Sequence, residues 1–179
     1  MNDPLQRPAR RFVVMGVSGC GKSAIGKLLA KQLGVTYVEG DDAHPPANIA
    51  KMASGTALDD DDRRAWLLQL QGRLRHAHEQ GESMVLSCSA LKLSYRDLLR
   101  EGDPALVFLH LDGSPALIAE RMAARKHHFM PPSLLQSQFR DLQPLQQTEL
   151  GSRFDIDRSE TAIVADMLGW IASRFPVAR

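Results

Sequence analysis

Cysteine is scarce in this chain: Cys20 and Cys88 are the only two among 179 residues. That excludes a disulfide framework and suits a reducing compartment, so a cytoplasmic protein is expected. An excess of charge of one sign is missing as well. The formal net charge of +1 provides no global attraction to polyanions, and neither nucleic acid nor a membrane is expected as a partner. No apolar run approaches the length of a transmembrane span. The start, MNDPLQRPARR, lacks the long apolar stretch of a secretory signal, and residues 1–10 read as a flexible leader. Repeats and Gly/Ser linkers are also missing. With 44% apolar and 24% charged residues, residues 1–179 read as one domain around one core. Asparagine occurs only at Asn2 and Asn48, so the guanine-reading NKxD motif of regulatory GTPases has no place in the chain.

What is present is an alternation of short apolar runs with longer segments of helical period, the pattern of a parallel sheet wrapped by helices. RFVVM is the first strand, and the segment from Lys22 to about Leu33 sets Ile25, Leu28, Leu29 and Leu33 on one side. TYVE follows, ending at Glu39, and GDDAHPPAN leads into a stretch of no clear period. In DDDDRRAWLLQLQGRLRHAHEQ, Leu67, Leu70, Leu74 and Ala77 form an inward face. Asp59 to Asp62 precede that face and suit a helix amino end, where the macrodipole favours negative charge. His76 and His78 lie two apart and point different ways, as solvated residues would. SMVLSC, ALVFLHL and RFDID complete five strands, with helices near SYRDLLR, from Ser114 to about Arg125, at SLLQSQFRDL and from Thr161 to Arg174.

Gly16, Gly21, Lys22 and Ser23 match GxxxxGK[ST] between an expected strand and an expected helix, the context a P-loop requires. Glycines there let successive N–H groups point inward, and the helix adds its positive end. The run Gly16, Ser18, Gly19, Cys20, Gly21, Lys22, Ser23 and Ala24 is therefore expected to hold ATP. Lys22 would lie along the β and γ phosphates and Ser23 on Mg²⁺. Charge around the moving phosphoryl group is commonly supplied by arginines on a closing segment. Arg121 and Arg125, four apart on one helix, run into KHHFMPP, so residues 121–140 form a candidate lid; two solvated surface arginines fit the same spacing.

GVSGCGKS, EGDDAHPPANIAKMASGTALDDDDRRAWL, LSCSALKLSYRDLLR, RKHHFMPPSLLQSQFRDLQPL and FDID, in that order from about Phe12 to Asp157, resemble the successive blocks of the bacterial gluconokinases. The resemblance implies a P-loop NTPase fold like that of adenylate and shikimate kinases: a five-stranded parallel sheet flanked by helices, a lid, and an acceptor region after the second strand. It implies an ATP-dependent, Mg²⁺-using kinase that forms 6-phosphogluconate from gluconate, and a homodimer. Small departures occur: Cys20 stands where serine is frequent, alanine precedes the tryptophan in RRAW, and His127 replaces a common glycine in the lid.

Carried onto this chain, the resemblance makes Asp41, in preference to Asp42, the group that orients or deprotonates the acceptor hydroxyl. Glu39 or Asp42 would hold Mg²⁺ through water, since no carboxylate ends the third strand. His44 would contact acceptor hydroxyls or pack the loop. For the acceptor carboxylate, a guanidinium is the natural partner; Arg63 is the first candidate, Arg64 the second, and Lys92 and Arg96 lie within the same blocks. Shikimate kinase is the nearest rival, but SCSALK lacks the glycine pair such enzymes use at that turn. A nucleotide-binding module that hydrolyses ATP slowly is the rival from another class.

Overall fold

A computed structural model of the chain describes residues 8–124 and 131–176. Five strands, β1 (Arg11–Met15), β2 (Thr36–Glu39), β3 (Met84–Ser87), β4 (Val107–Asp112) and β5 (Gly151–Asp155), form one sheet in the order β2-β3-β1-β4-β5. Every pairing is parallel. The helices are α1 (Lys22–Leu33), α2 (Pro46–Ala53), α3 (Asp60–Glu79), α4 (Leu93–Arg100), α5 (Pro115–Ala123), α6 (Leu135–Asp141) and α7 (Glu160–Arg174). Among the described residues no helix is long and apolar enough to cross a membrane. Arg125 and His127 lie outside the described residues.

The central strands read as apolar runs because both faces of a parallel sheet are covered. Alternation along β1 divides the core. Phe12 and Val14 pack toward the α1 and α7 side with Ile25, Leu29, Ile163 and Met167. Val13 and Met15 pack toward the α3 and α4 side with Trp66, Leu70, Leu74 and Leu99. From β1 the chain moves to β2 at one edge, whereas from β3 it crosses to β4 on the other side of β1. The carboxyl ends of these two neighbours therefore open a crevice at a topological switch point.

The acidic run before α3 caps that helix, and it does more. Asp59 accepts a hydrogen bond from the Asp62 N–H while Asp62 reaches back to the Asp59 N–H, a reciprocal capping box. Asp62 also pairs with Lys51 of α2, and Asp60 accepts from Lys92, just before α4, and from Tyr95 within it. Helix α2 falls in the stretch without clear period; it begins with Pro46 and buries only Asn48 and Met52. Met52 joins Leu58 and Leu134 in a small satellite cluster beside the crevice.

Two buried ion pairs tie the loops to this frame. Arg11 Nε donates to Asp103 at 2.7 Å, and His78 Nδ1 lies 3.3 Å from the other Asp103 oxygen, so His78 is anchored rather than simply solvated. Arg96 donates to both oxygens of Glu149, at 2.7 and 3.0 Å, and to the carbonyls of Ala90 and Leu91; Arg100 adds a third bond to Glu149. This occupies Arg96 as a structural clamp away from the crevice. Burial opposes the Glu149 charge, but the arginines and the Gln146 N–H outweigh it and bring its pKa down to about 2.

The unfolded chain thus binds more protons than the native one between about pH 4.5 and 2, and stability falls as pH drops through that window. Removing one partner of a buried pair costs roughly 3–5 kcal/mol. Glu149→Gln is therefore expected to lower the urea midpoint at neutral pH and to flatten its decline in acid. An unchanged midpoint and an unchanged acid slope would show that the clamp contributes nothing.

Candidate active site

The crevice begins where β1 ends. Gly16 has φ +145°, and a Cβ there would meet the Leu111 carbonyl oxygen at 2.8 Å, so only glycine passes. Its N–H donates to Ser89 O at 3.2 Å, joining the loop to the turn after β3. Gly19 and Gly21 also have positive φ, and Gly21 caps α1. The Cys20 side chain is buried, filling the inside of the loop as a small packing group. The loop N–H groups and the amino end of α1 converge on one anion site. Lys22 Nζ meanwhile donates to Val17 O at 3.0 Å.

Beside the loop stands an ionised carboxylate. Glu39 Oε2 accepts from Ser23 Oγ at 2.6 Å and from the Tyr37 hydroxyl at 2.8 Å, and Oε1 accepts from Ser87 Oγ. Burial disfavours its charge, but these three hydroxyls outweigh burial and hold the carboxyl below the usual carboxylate range. Next along the chain, Gly40 lies so close to β3 that a Cβ would fall 2.0 Å from Ser87 O. Its carbonyl accepts from Trp66 Nε1 at 2.8 Å. The chain then turns through Gly40–Ala43, a 3-10 turn, which sets Asp41 at the crevice while Asp42 is exposed.

His44 stacks on Trp66 with ring centroids 4.2 Å apart. Asn48 Nδ2 donates to Asp62 O and lies 3.4 Å from His44 Nδ1. An amide nitrogen can only donate, so Nδ1 is the acceptor and the neutral ring carries its proton on Nε2, 3.9 Å from Asp41 Oδ1. Burial, with the Arg63 charge adding to it, pushes the His44 pKa down to about 4. Arg63 is buried and donates to the Tyr95 hydroxyl at 2.9 Å and to Asp141 at 3.1 Å. Arg64, its neighbour, is exposed.

Ser18, Lys22, Asp41, His44, Arg63, Trp66 and Gln138 line one open cleft. A second lies on the other side of the loop and is lined by Gly19, Cys20, Gly21, Ala24 and Ile25 together with Arg121, Arg158 and Glu160. Arg121 Nη2 donates to Ile156 O at 2.7 Å. Lys92 lines neither cleft; it donates to Asp60 at 2.8 Å. Asp60 also accepts from Tyr95, so Lys92 touches the Arg63 guanidinium only through that chain of contacts. No cluster of three His, Cys, Asp or Glu side chains suited to a metal occurs among the described residues. Ser23 and ionised Glu39 are the hard oxygen donors beside the loop, a fit for Mg²⁺ that draws its remaining ligands from phosphate and water.

The shikimate kinase family model matches residues 18–162. A gluconokinase of Gluconobacter oxydans is 48% identical over 134 residues, 75% of each chain. A sugar kinase from Janibacter superposes with a TM-score of 0.89 at 43% identity, covering 96% of this chain and 99% of that one. A gluconokinase from Sinorhizobium meliloti superposes at 0.85 with 44% identity and 95% coverage of both.

In an imidazole nitrogen NMR titration, His44 is expected to keep neutral-form shifts from pH 8 down to the neighbourhood of its pKa of about 4. A midpoint near the free-histidine value of about 6.5 would contradict the stacked, arginine-flanked environment.

Proposed function

The chain belongs to the gluconokinases, within the wider shikimate kinase family, and on that premise we propose that it transfers the terminal phosphoryl group of ATP to the C6 hydroxyl of D-gluconate. The products are 6-phospho-D-gluconate and ADP. One observation carries this reading: the P-loop separates two clefts, and the cleft on the Lys22 side is lined by a carboxylate, a neutral imidazole and a buried guanidinium. That set complements a polyhydroxy acid.

In this reading ATP lies along the glycine loop with its nucleoside end toward Arg121, in the cleft of Gly19 and Ala24. Lys22 leaves the Val17 carbonyl to lie along the β and γ phosphates. Ser23 and Glu39 hold Mg²⁺, which when bound neutralises charge on the phosphate oxygens. Gluconate enters the other cleft with its carboxylate toward Arg63, where a planar guanidinium offers paired donors. Tyr95 and Asp141 hold that guanidinium, and Lys92 acts through Asp60 and Tyr95 rather than on the substrate directly. His44 Nε2–H donates to a substrate hydroxyl. Asp41 accepts the proton of the attacking C6 hydroxyl and aligns it with the terminal phosphorus. Positioning and charge neutralisation supply the rate, because the transition state is loose. Family membership also supports a homodimer working in the cytoplasm.

ADP release from purified protein with ATP and Mg²⁺ is expected with gluconate and not with shikimate, nucleoside monophosphates or no acceptor; equal release without an acceptor would favour a hydrolytic module. Asp41→Asn is expected to keep ATP affinity and lose kcat by about 10²–10⁴. Retained turnover would assign the base elsewhere. Lys22→Ala should lower kcat more than it raises the KM for gluconate, and an unchanged kcat would remove its role.

A further inference from the structure

The phosphate-binding loop does not face a single cleft. Gly19, Cys20, Gly21 and Ala24 line the nucleotide side, whereas Ser18 and Lys22 line the side of Asp41, His44 and Arg63. Ser18 therefore stands on the boundary between donor and acceptor, and both of its polar groups are distinctive. Its Oγ is buried and finds no hydrogen-bond partner among the described residues. Its backbone N–H donates to the side-chain oxygen of Gln138, 2.7 Å away and 120 positions later in the chain. Gln138 lies on α6 and is 6% exposed, so this contact is shielded from water.

A carboxamide oxygen on a P-loop N–H takes the acceptor position that a phosphoryl oxygen would take. One N–H proton cannot serve both in full. A buried hydroxyl without a partner is also unfavourable, and an arriving oxygen would relieve it. Resting on the kinase reading above, we propose that Ser18 forms the subsite for the phosphoryl group in transit and that Gln138 fills it as a built-in competitor until the terminal phosphate of the triphosphate displaces it. The diphosphate product occupies the remaining loop N–H groups on the nucleotide side and does not meet this competition. The exchange also reaches the acceptor half. Asp141, three residues after Gln138 on α6, accepts from Arg63 at 3.1 Å, so one short helix holds both the transfer subsite and the acceptor arginine.

The test is calorimetric binding of ATP and of ADP, each with Mg²⁺, to the full-length wild type, Gln138→Met and Gln138→Glu. Loss of one neutral competing hydrogen bond is expected to tighten ATP binding to Gln138→Met roughly three- to tenfold, with ADP changed less than about twofold. A carboxylate at the same place is an anionic mimic, so Gln138→Glu is expected to weaken ATP at least about tenfold and leave ADP nearly unchanged. Equal shifts for the two nucleotides, or none, would overturn the proposal, since a purely structural residue changes both alike. Should Gln138→Met fail to fold, the ATP to ADP ratio of Gln138→Glu decides alone. Wild-type turnover of gluconate is measured in parallel. Its loss would remove the substrate assignment without touching the nucleotide ratio, whereas normal turnover with an unaltered ratio would remove only this inference.

Discussion

The hydrogen bond from Gly16 N–H to the Ser89 carbonyl fastens the loop after β1 to the turn after β3, and the site depends on that juncture. It fixes the carboxyl ends of two neighbouring parallel strands whose onward connections run in opposite directions. The glycine loop, Ser23, Glu39 and Asp41 all follow one of these ends or the end of β2 beside them. The backbone is so close there that Gly16 and Gly40 leave no room for a side chain. Precision in the position of Asp41 and Glu39 thus comes from main-chain contact rather than from flexible side chains.

Charge in the site is arranged by burial and partners together. Glu39 stays ionised because three hydroxyls donate to it, and His44 stays neutral because it is buried with Arg63 nearby. A neutral imidazole and a buried cation therefore share the Lys22-side cleft, while the ionised carboxylate stands on the strand end next to Ser23. The buried Cys88 thiol, its pKa pushed up to about 12 by burial, is inert packing behind them.

The parts of this that were legible in the sequence are those encoded locally. The loop motif names its own residues, and the strand periods and the acidic cap of α3 need only a few neighbours to be read. Strand order was not legible, because parallel pairing joins residues dozens of positions apart. Helix α2 shows no clear period since its eight residues bury just two side chains. Arg63 and Arg64 look alike in sequence; burial against Tyr95 and Asp141 distinguishes them. Lys92 and Arg96 sit in the same block as the site, yet Asp60 and Glu149 claim them. The stack of His44 on Trp66 and the reach of Gln138 to the loop had no local signal, being contacts across long separations.

In the proposed reading, two clefts meeting at one loop give the phosphoryl group a direct passage, with no stop on the protein. The stereochemical course at phosphorus, followed with a terminal phosphate made chiral by oxygen isotopes and gluconate as acceptor, reads this passage. A single in-line displacement between the clefts gives inversion of configuration. Retention would mean an even number of displacements through a phosphorylated protein group, and the account given by this geometry would not survive it.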